Sequence, residues 1–192
     1  KLSVGSRFQE CDHCPEMVIV PPGRFTMGAE GGEKDRPEGP RREVTIAKAF
    51  AAGRFEITRG QYQTFVDATH YDSGPGCASW SAAKQSFEIQ LEYNWRNPTA
   101  GVVTAADEPV VCVSWLDAKA YVAWLGKLTG HGYRLATEAE WEYFARAGAA
   151  TDFPWGDDPE QVCRYANVYD ASTANLTKKF ENAKCTDKHA TV

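Results

Sequence analysis

Apolar positions recur along this chain with two periods, and each period predicts its own kind of element. Residues 16–28, EMVIVPPGRFTMG, read as strand, Pro-Pro-Gly turn and strand, a hairpin signal. Residues 29–42 are polar and rich in Gly and Pro, as a loop is. Residues 43–58, EVTIAKAFAAGRFEIT, alternate loosely and are rich in Val, Ile and Phe, the composition of strands. The period then becomes helical. In TRGQYQTFVDATHY, Thr58 precedes Gln61 by the spacing of a capping box, and Tyr62, Phe65 and Val66 share one face. Residues 70–109 show no period. A loop-rich stretch of that length is usually functional or tied down, and Cys77 within it points to a tie.

Two further helices are predicted. In SWLDAKAYVAWLGKLTG, residues 114–130, Ser114 and Asp117 have capping spacing and Gly130 closes the helix. Leu116, Ala120, Ala123, Trp124 and Leu128 form its apolar stripe. TEAEWEYFARAG, residues 137–148, repeats the design with Thr137 as cap, Glu140 at N3 and Gly148 at the end. Glu138 and Glu140 sit in the first turn, where the helix dipole favours negative charge. Trp141, Phe144 and Ala145 are expected to face the core. Beyond Gly148 there is no long periodic segment, and no internal repeat is visible.

Composition narrows the class. The 192 residues fit one domain, and 43% hydrophobic with 12% aromatic content supports a packed core. The net charge of −5 is spread along the chain without a basic stripe, which argues against a nucleic-acid partner. No apolar run approaches the roughly 20 residues of a membrane span.

The six cysteines change the picture more. Cys11, Cys14, Cys77, Cys112, Cys163 and Cys185 are even in number and lie mostly in loop-like context, which reads as an oxidised, exported protein, secreted or periplasmic. Proximity in sequence suggests pairing Cys77 with Cys112 and Cys163 with Cys185, each worth roughly 3–4 kcal/mol on the chain-entropy model. CDHC at 11–14 can close on itself. A redox pair or half of a zinc site are its rivals. Pro15 and the strand-like residues after it disfavour the first, and the lack of a second ligand pair disfavours the second.

Other polar residues carry weaker signals. His13, His70, His131 and His189 share no metal-ligand spacing and read as solvated loop histidines. Ser114 is explained by capping. NLT at 175–177 is a glycosylation sequon, relevant only in a eukaryotic secretory pathway. Trp95, Arg96 and Asn97 are candidates to line a peptide groove, against the plainer reading of a buried Trp with Arg stacked on it.

RLATEAEWEYFARAG (134–148) followed by FPWGDD (153–158) resembles the signature of the formylglycine-generating enzyme family, the sulfatase-modifying factors. EMVIVPPGRFTMG, GPRREVTI, RFEITRGQYQTFV, NWRNPT, EPVVCVSW and YANV resemble further family blocks, in the family's order, from residue 16 to about 190. The resemblance implies one α+β domain over residues 1–192 of the C-type-lectin-like kind, loop-rich and low in regular secondary structure. It implies oxidation of a sulfatase cysteine to formylglycine with oxygen, at copper(I) held by two cysteine thiolates, ligands soft enough for that ion. In the family that pair lies far towards the C-terminus, after a glycine-rich block, and none of the six cysteines here matches it. The family's catalytic residues therefore map to no position. Copper is expected only with a thiol pair outside this sequence, and the domain is expected to be completed by a C-terminal segment or a second chain.

One family site does map. By resemblance, calcium would be held by Asn167, the carbonyl of Val168, Asp187 and the carbonyl of His189, oxygen donors suited to a hard cation. The sequence departs from the family at Lys188, where the family has Gly, and a turn held by Asn and Asp side chains explains the same residues. Two functions stay open. One is an exported oxidase acting on a peptide or sulfatase substrate. The other is a non-catalytic lectin-like scaffold that binds a protein or glycan. An ergothioneine-type sulfoxide synthase, a third relative, needs an added iron-binding helical domain whose histidines are not supplied here.

Overall fold

A computed structural model of the chain describes residues 3–30, 38–81, 83–98, 104–171 and 181–188. Seven short strands and three helices follow in the order β1 (Arg7–Phe8), β2 (Met17–Val20), β3 (Gly23–Met27), β4 (Arg42–Ile46), β5 (Phe50–Gly53), α1 (Arg59–Thr69), β6 (Cys77–Ser81), β7 (Ser86–Gln90), α2 (Trp115–Thr129) and α3 (Glu138–Arg146), with a 3-10 helix at Pro159–Arg164. The architecture is α+β and loop-rich.

The predicted hairpin over 16–28 is corrected. Its two strands form, but they do not pair with each other. β2 lies between β1 and β5 in an antiparallel sheet, while β3 pairs with β4. Pro21 and Pro22 offer no backbone N–H, so the ladder of β2 cannot continue through them. The chain leaves one sheet there and enters the next. A second correction concerns residues 70–109. A hairpin, β6 with β7, sits inside the stretch read as irregular, in register from Cys77 opposite Gln90 to Ser81 opposite Ser86. Trp80 packs edge-on against its cross-strand partner Phe87 at 5.3 Å.

All three helices begin as the sequence predicts, with complete capping boxes at Thr58/Gln61, Ser114/Asp117 and Thr137/Glu140. The faces they bury are only partly as predicted. In α1, Tyr62, Phe65 and Val66 are buried. In α2 the buried line is Asp117, Tyr121 and Leu125, with Trp124 and Ala120 half-buried, whereas Leu116 is 66% and Leu128 53% exposed and Ala123 is exposed. The expected stripe is thus rotated by about one position. The capping carboxylate of Asp117 turns inward, and Tyr121 one turn later joins the aromatic cluster. In α3, Phe144 and Ala145 are half-buried, but Trp141 is 61% exposed. Tyr143 and Phe144 instead meet Phe25 of β3 and Phe50 of β5, at 5.4 and 6.5 Å between ring centres.

The core gathers Tyr62, Phe65, Val66, Trp95, Tyr121 and Leu125 around Cys14. Its rings interlock: Tyr62 sits edge-on to Trp95 at 5.1 Å and to Phe65 at 5.3 Å, and Phe65 edge-on to Tyr121 at 5.7 Å. Such offset and edge contacts add to area burial. No helix among the described residues is long and apolar enough to cross a membrane.

Candidate functional site

Three disulfides brace the chain. Cys11 bonds Cys14, Cys77 bonds Cys112 and Cys163 bonds Cys185, and no cysteine is free. The CDHC ring is seated on the core. Cys14 is fully buried, and its carbonyl accepts the side-chain amides of Gln9 at 2.7 Å and Gln61 at 3.3 Å. With both sulfurs bonded to each other, the ring holds no thiolate for zinc.

The third disulfide helps build the clasp that contains Asn167, Val168 and Asp187. Asp158 caps the 3-10 helix by accepting the Glu160 N–H at 3.0 Å, and that helix carries Cys163. Cys185 then draws the segment 181–188 alongside residues 168–171. The Ala183 N–H donates to the Tyr169 carbonyl at 2.9 Å and the Ala171 N–H to that of Cys185 at 3.1 Å. Within this clasp the Val168 N–H donates to Asp187 Oδ2 at 2.7 Å, and the Asp187 N–H to Asp170 Oδ2 at 2.7 Å. The structure therefore brings Val168 and Asp187 together and keeps the adjacent Asn167 exposed. His189 and the sequon at 175–177 lie outside the described residues. Lys188 takes φ 69°, a left-handed conformation that favours glycine. Among the described residues no group of three His, Cys, Asp or Glu is placed to hold a metal, so a cation here would depend on amide and backbone oxygens beside Asp187. Asp170 was missed by sequence reasoning. It is fully buried, and its carboxylate holds the Asp187 N–H. Its only sequence signal is an acidic residue three positions after Asn167.

At the other candidate, Trp95 is 3% exposed and Arg96 Cζ lies 4.1 Å from the centre of its ring. This is the plainer of the two sequence readings, and Trp95 belongs to the core rather than to a groove.

The acidic, aromatic helix α3 proves to be a strut. Arg134 grips Glu140 with two hydrogen bonds of 2.6 Å, and the Thr137 N–H adds a third at 2.9 Å. The Arg134 guanidinium first, and the Thr137 N–H next, bring the Glu140 carboxyl down to about 2. Glu142 accepts the Gly28 N–H at 2.9 Å and Arg146 Nε at 2.8 Å, tying the end of β3 to α3. Between this helix, β3 and the β2–β5 sheet lies an apolar cleft of about 780 Å³. Gly23 lines it because a Cβ there would collide with the Tyr143 hydroxyl. No sequence signal marks the cleft, since residues far apart in the chain make it.

Comparison with known proteins places this geometry. The family described as the Sulfatase-modifying factor enzyme 1-like domain matches residues 4–190. The chain is 36% identical over 165 aligned positions to a mouse (Mus musculus) protein named inactive C-alpha-formylglycine-generating enzyme 2, covering 74% of this chain and 51% of that protein. It is 32% identical over 179 positions to the formylglycine-generating enzyme of Bos taurus, covering 80% and 46%. To a Mycobacterium tuberculosis hercynine oxygenase it is 31% identical over 166 positions, covering 75% and 36%. The solved structure of PvdO from Pseudomonas aeruginosa superposes with a TM-score of 0.71 at 34% identity, covering 96% of this chain and 70% of PvdO. The chain thus spans about half the length of the curated formylglycine-generating relatives it matches. Its α+β, loop-rich fold is that of the formylglycine-generating enzymes, and the chain belongs to the sulfatase-modifying factor family.

Proposed function

We propose that this chain is the disulfide-braced scaffold of an exported formylglycine-generating-enzyme-type protein, secreted or periplasmic. In the complete protein, a thiol pair outside this sequence would carry the oxidation of a sulfatase cysteine to formylglycine. The observation behind this reading is the pairing of all six sulfurs as disulfides within the family fold. A disulfide sulfur is not the thiolate that copper(I) takes, so copper belongs to this protein only with cysteines beyond these. Three disulfides also suit an oxidising compartment. Trp115, Leu116 and Leu128 on α2 and Trp141 on α3 stand more than half exposed, and a further segment or second chain covering them completes this picture. Calcium at Asn167, Val168 and Asp187 would then lock the clasp as a structural ion.

A second reading is a non-catalytic member that binds a protein or glycan. Likeness to proteins named as inactive enzymes supports it, together with the lack of any thiol in this chain. One assay separates the two. The full-length protein, loaded with copper(I) and supplied with a thiol reductant, is incubated with a sulfatase-derived cysteine peptide under oxygen. Loss of the peptide's sulfur by mass spectrometry supports the oxidase. Peptide left unconverted by copper-loaded, folded protein supports the binding module.

A further inference from the structure

The apolar cleft beside α3 has a charge pattern unlike that of the chain around it. The whole sequence carries 26 acidic against 21 basic residues. The cleft is lined by four arginines, Arg24, Arg41, Arg54 and Arg146, and by no Asp or Glu. Two of the four are committed: Arg54 pairs with Glu16 at 3.0 Å and Arg146 with Glu142 at 2.7 Å. Neither Arg24 nor Arg41 pairs with a carboxylate among the described residues, and both are exposed. The rest of the cleft lining is largely apolar, with Val18, Phe25 and Phe144 among its residues. A volume of about 780 Å³ falls within the range of small-molecule sites, which are mostly apolar with a few placed polar groups.

We propose that this cleft binds an amphipathic organic carboxylate, its apolar body against Phe25 and Phe144 and its carboxylate held by Arg24 and Arg41. The arrangement disfavours the alternatives. A neutral apolar ligand gains nothing from two guanidiniums that meet no carboxylate among the described residues. A fully hydrated anion such as inorganic phosphate leaves the aromatic wall unfilled. A guanidinium fork matches a carboxylate in two-point geometry, which sets this head group above an alcohol or an ester. The site is independent of the thiol chemistry considered above and stands on its own residues.

Dodecanoate is the probe, titrated calorimetrically into the purified protein beside its uncharged methyl ester. The proposal expects one saturable dodecanoate site, binding about tenfold or more tighter than the ester and weakening with added salt as partly exposed ion pairs do. The double variant Arg24→Gln/Arg41→Gln, whose side chains are exposed and pair with no carboxylate among the described residues, loses that tenfold preference with an unchanged melting curve. Ala52→Phe, which narrows the cleft from the β5 side, lowers the affinity for acid and ester alike. Equal affinity for acid and ester overturns the proposal, as does a double variant that binds like the parent. Absence of saturable dodecanoate binding, with capture of an alternating Val-Glu peptide instead, overturns it in favour of a polypeptide occupant.

Discussion

The Asp187 carboxylate accepts the Val168 backbone N–H at 2.7 Å, joining two segments 19 residues apart beside the Cys163–Cys185 disulfide. A buried or half-buried N–H that loses its acceptor costs about 1–3 kcal/mol. Asp187→Ala should therefore destabilise the protein by that amount with or without metal. The proposed calcium would add a separable effect. An ion present at about 100 times its dissociation constant stabilises by about 2.7 kcal/mol. Chelation should lower the melting temperature of the parent protein and leave that of Asp187→Ala unmoved. If chelation shifts neither, the clasp works without an ion.

Lys188 occupies a left-handed conformation at φ 69° without glycine's freedom there. For an L-residue that conformation costs about 1–2 kcal/mol, while glycine adds freedom to the unfolded chain. Lys188→Gly should be neutral or stabilising by up to about 1 kcal/mol, read from chemical denaturation. Lys188→Val, branched at Cβ, should be destabilising. A loss of stability in the Gly variant would show that the lysine side chain itself matters to the loop.

Glu140 gives a pH signature. Its carboxyl lies at about 2 in the folded protein against an ordinary 4.5, because Arg134 and then the Thr137 N–H favour its charged form. A depressed carboxylate stabilises the fold above its unfolded pKa and loses that contribution as pH falls through the folded one. Glu140→Gln should cost about 1 kcal/mol at pH 7, the scale of a capping contact. The difference from the parent should shrink between pH 4.5 and 2. A difference constant with pH would assign the cost to packing.

The exposed apolar residues of α2 and α3 predict an interface. Trp115 is 64%, Leu116 66% and Trp141 61% exposed. Leu116→Ser and Trp141→Ser should leave the melting temperature of residues 1–192 nearly unchanged, since side chains this open contribute little to an isolated domain. In the full-length protein, where a covering segment is proposed, the same changes should cost about 2–4 kcal/mol each. Equal and small effects in both would mean that these faces stay open.

What the sequence revealed tracks how local each feature is. The capping boxes at Thr58/Gln61, Ser114/Asp117 and Thr137/Glu140 are four-residue patterns, and each starts the helix its sequence predicts. Cys77 with Cys112 and Cys163 with Cys185 followed from proximity along the chain. Features decided by tertiary partners were harder. Nothing in EMVIVPPGRFTMG says that β2 will choose β5 and β3 will choose β4. The α2 stripe was misplaced because hydropathy ranks Leu116 above Tyr121, while the core selects the larger ring for its aromatic cluster. The 77–90 hairpin has no clear sequence signal because CASWS has little strand propensity of its own. A disulfide and the Trp80–Phe87 pair hold it instead. Val168 and Asp187, brought together by the family pattern, do meet in the fold. Asp170 was not legible, since its role depends on the fold bringing 187 back beside it.

The central claim is that this chain is a fully oxidised scaffold with no thiol of its own to offer a metal. Its most direct test is a thiol count on residues 1–192, denatured without reductant and labelled with iodoacetamide before mass spectrometry. The account predicts no labelled cysteine, and peptide maps showing Cys11 with Cys14, Cys77 with Cys112 and Cys163 with Cys185. Two labelled cysteines in the native, oxidised protein would contradict it and return a thiolate pair to this chain.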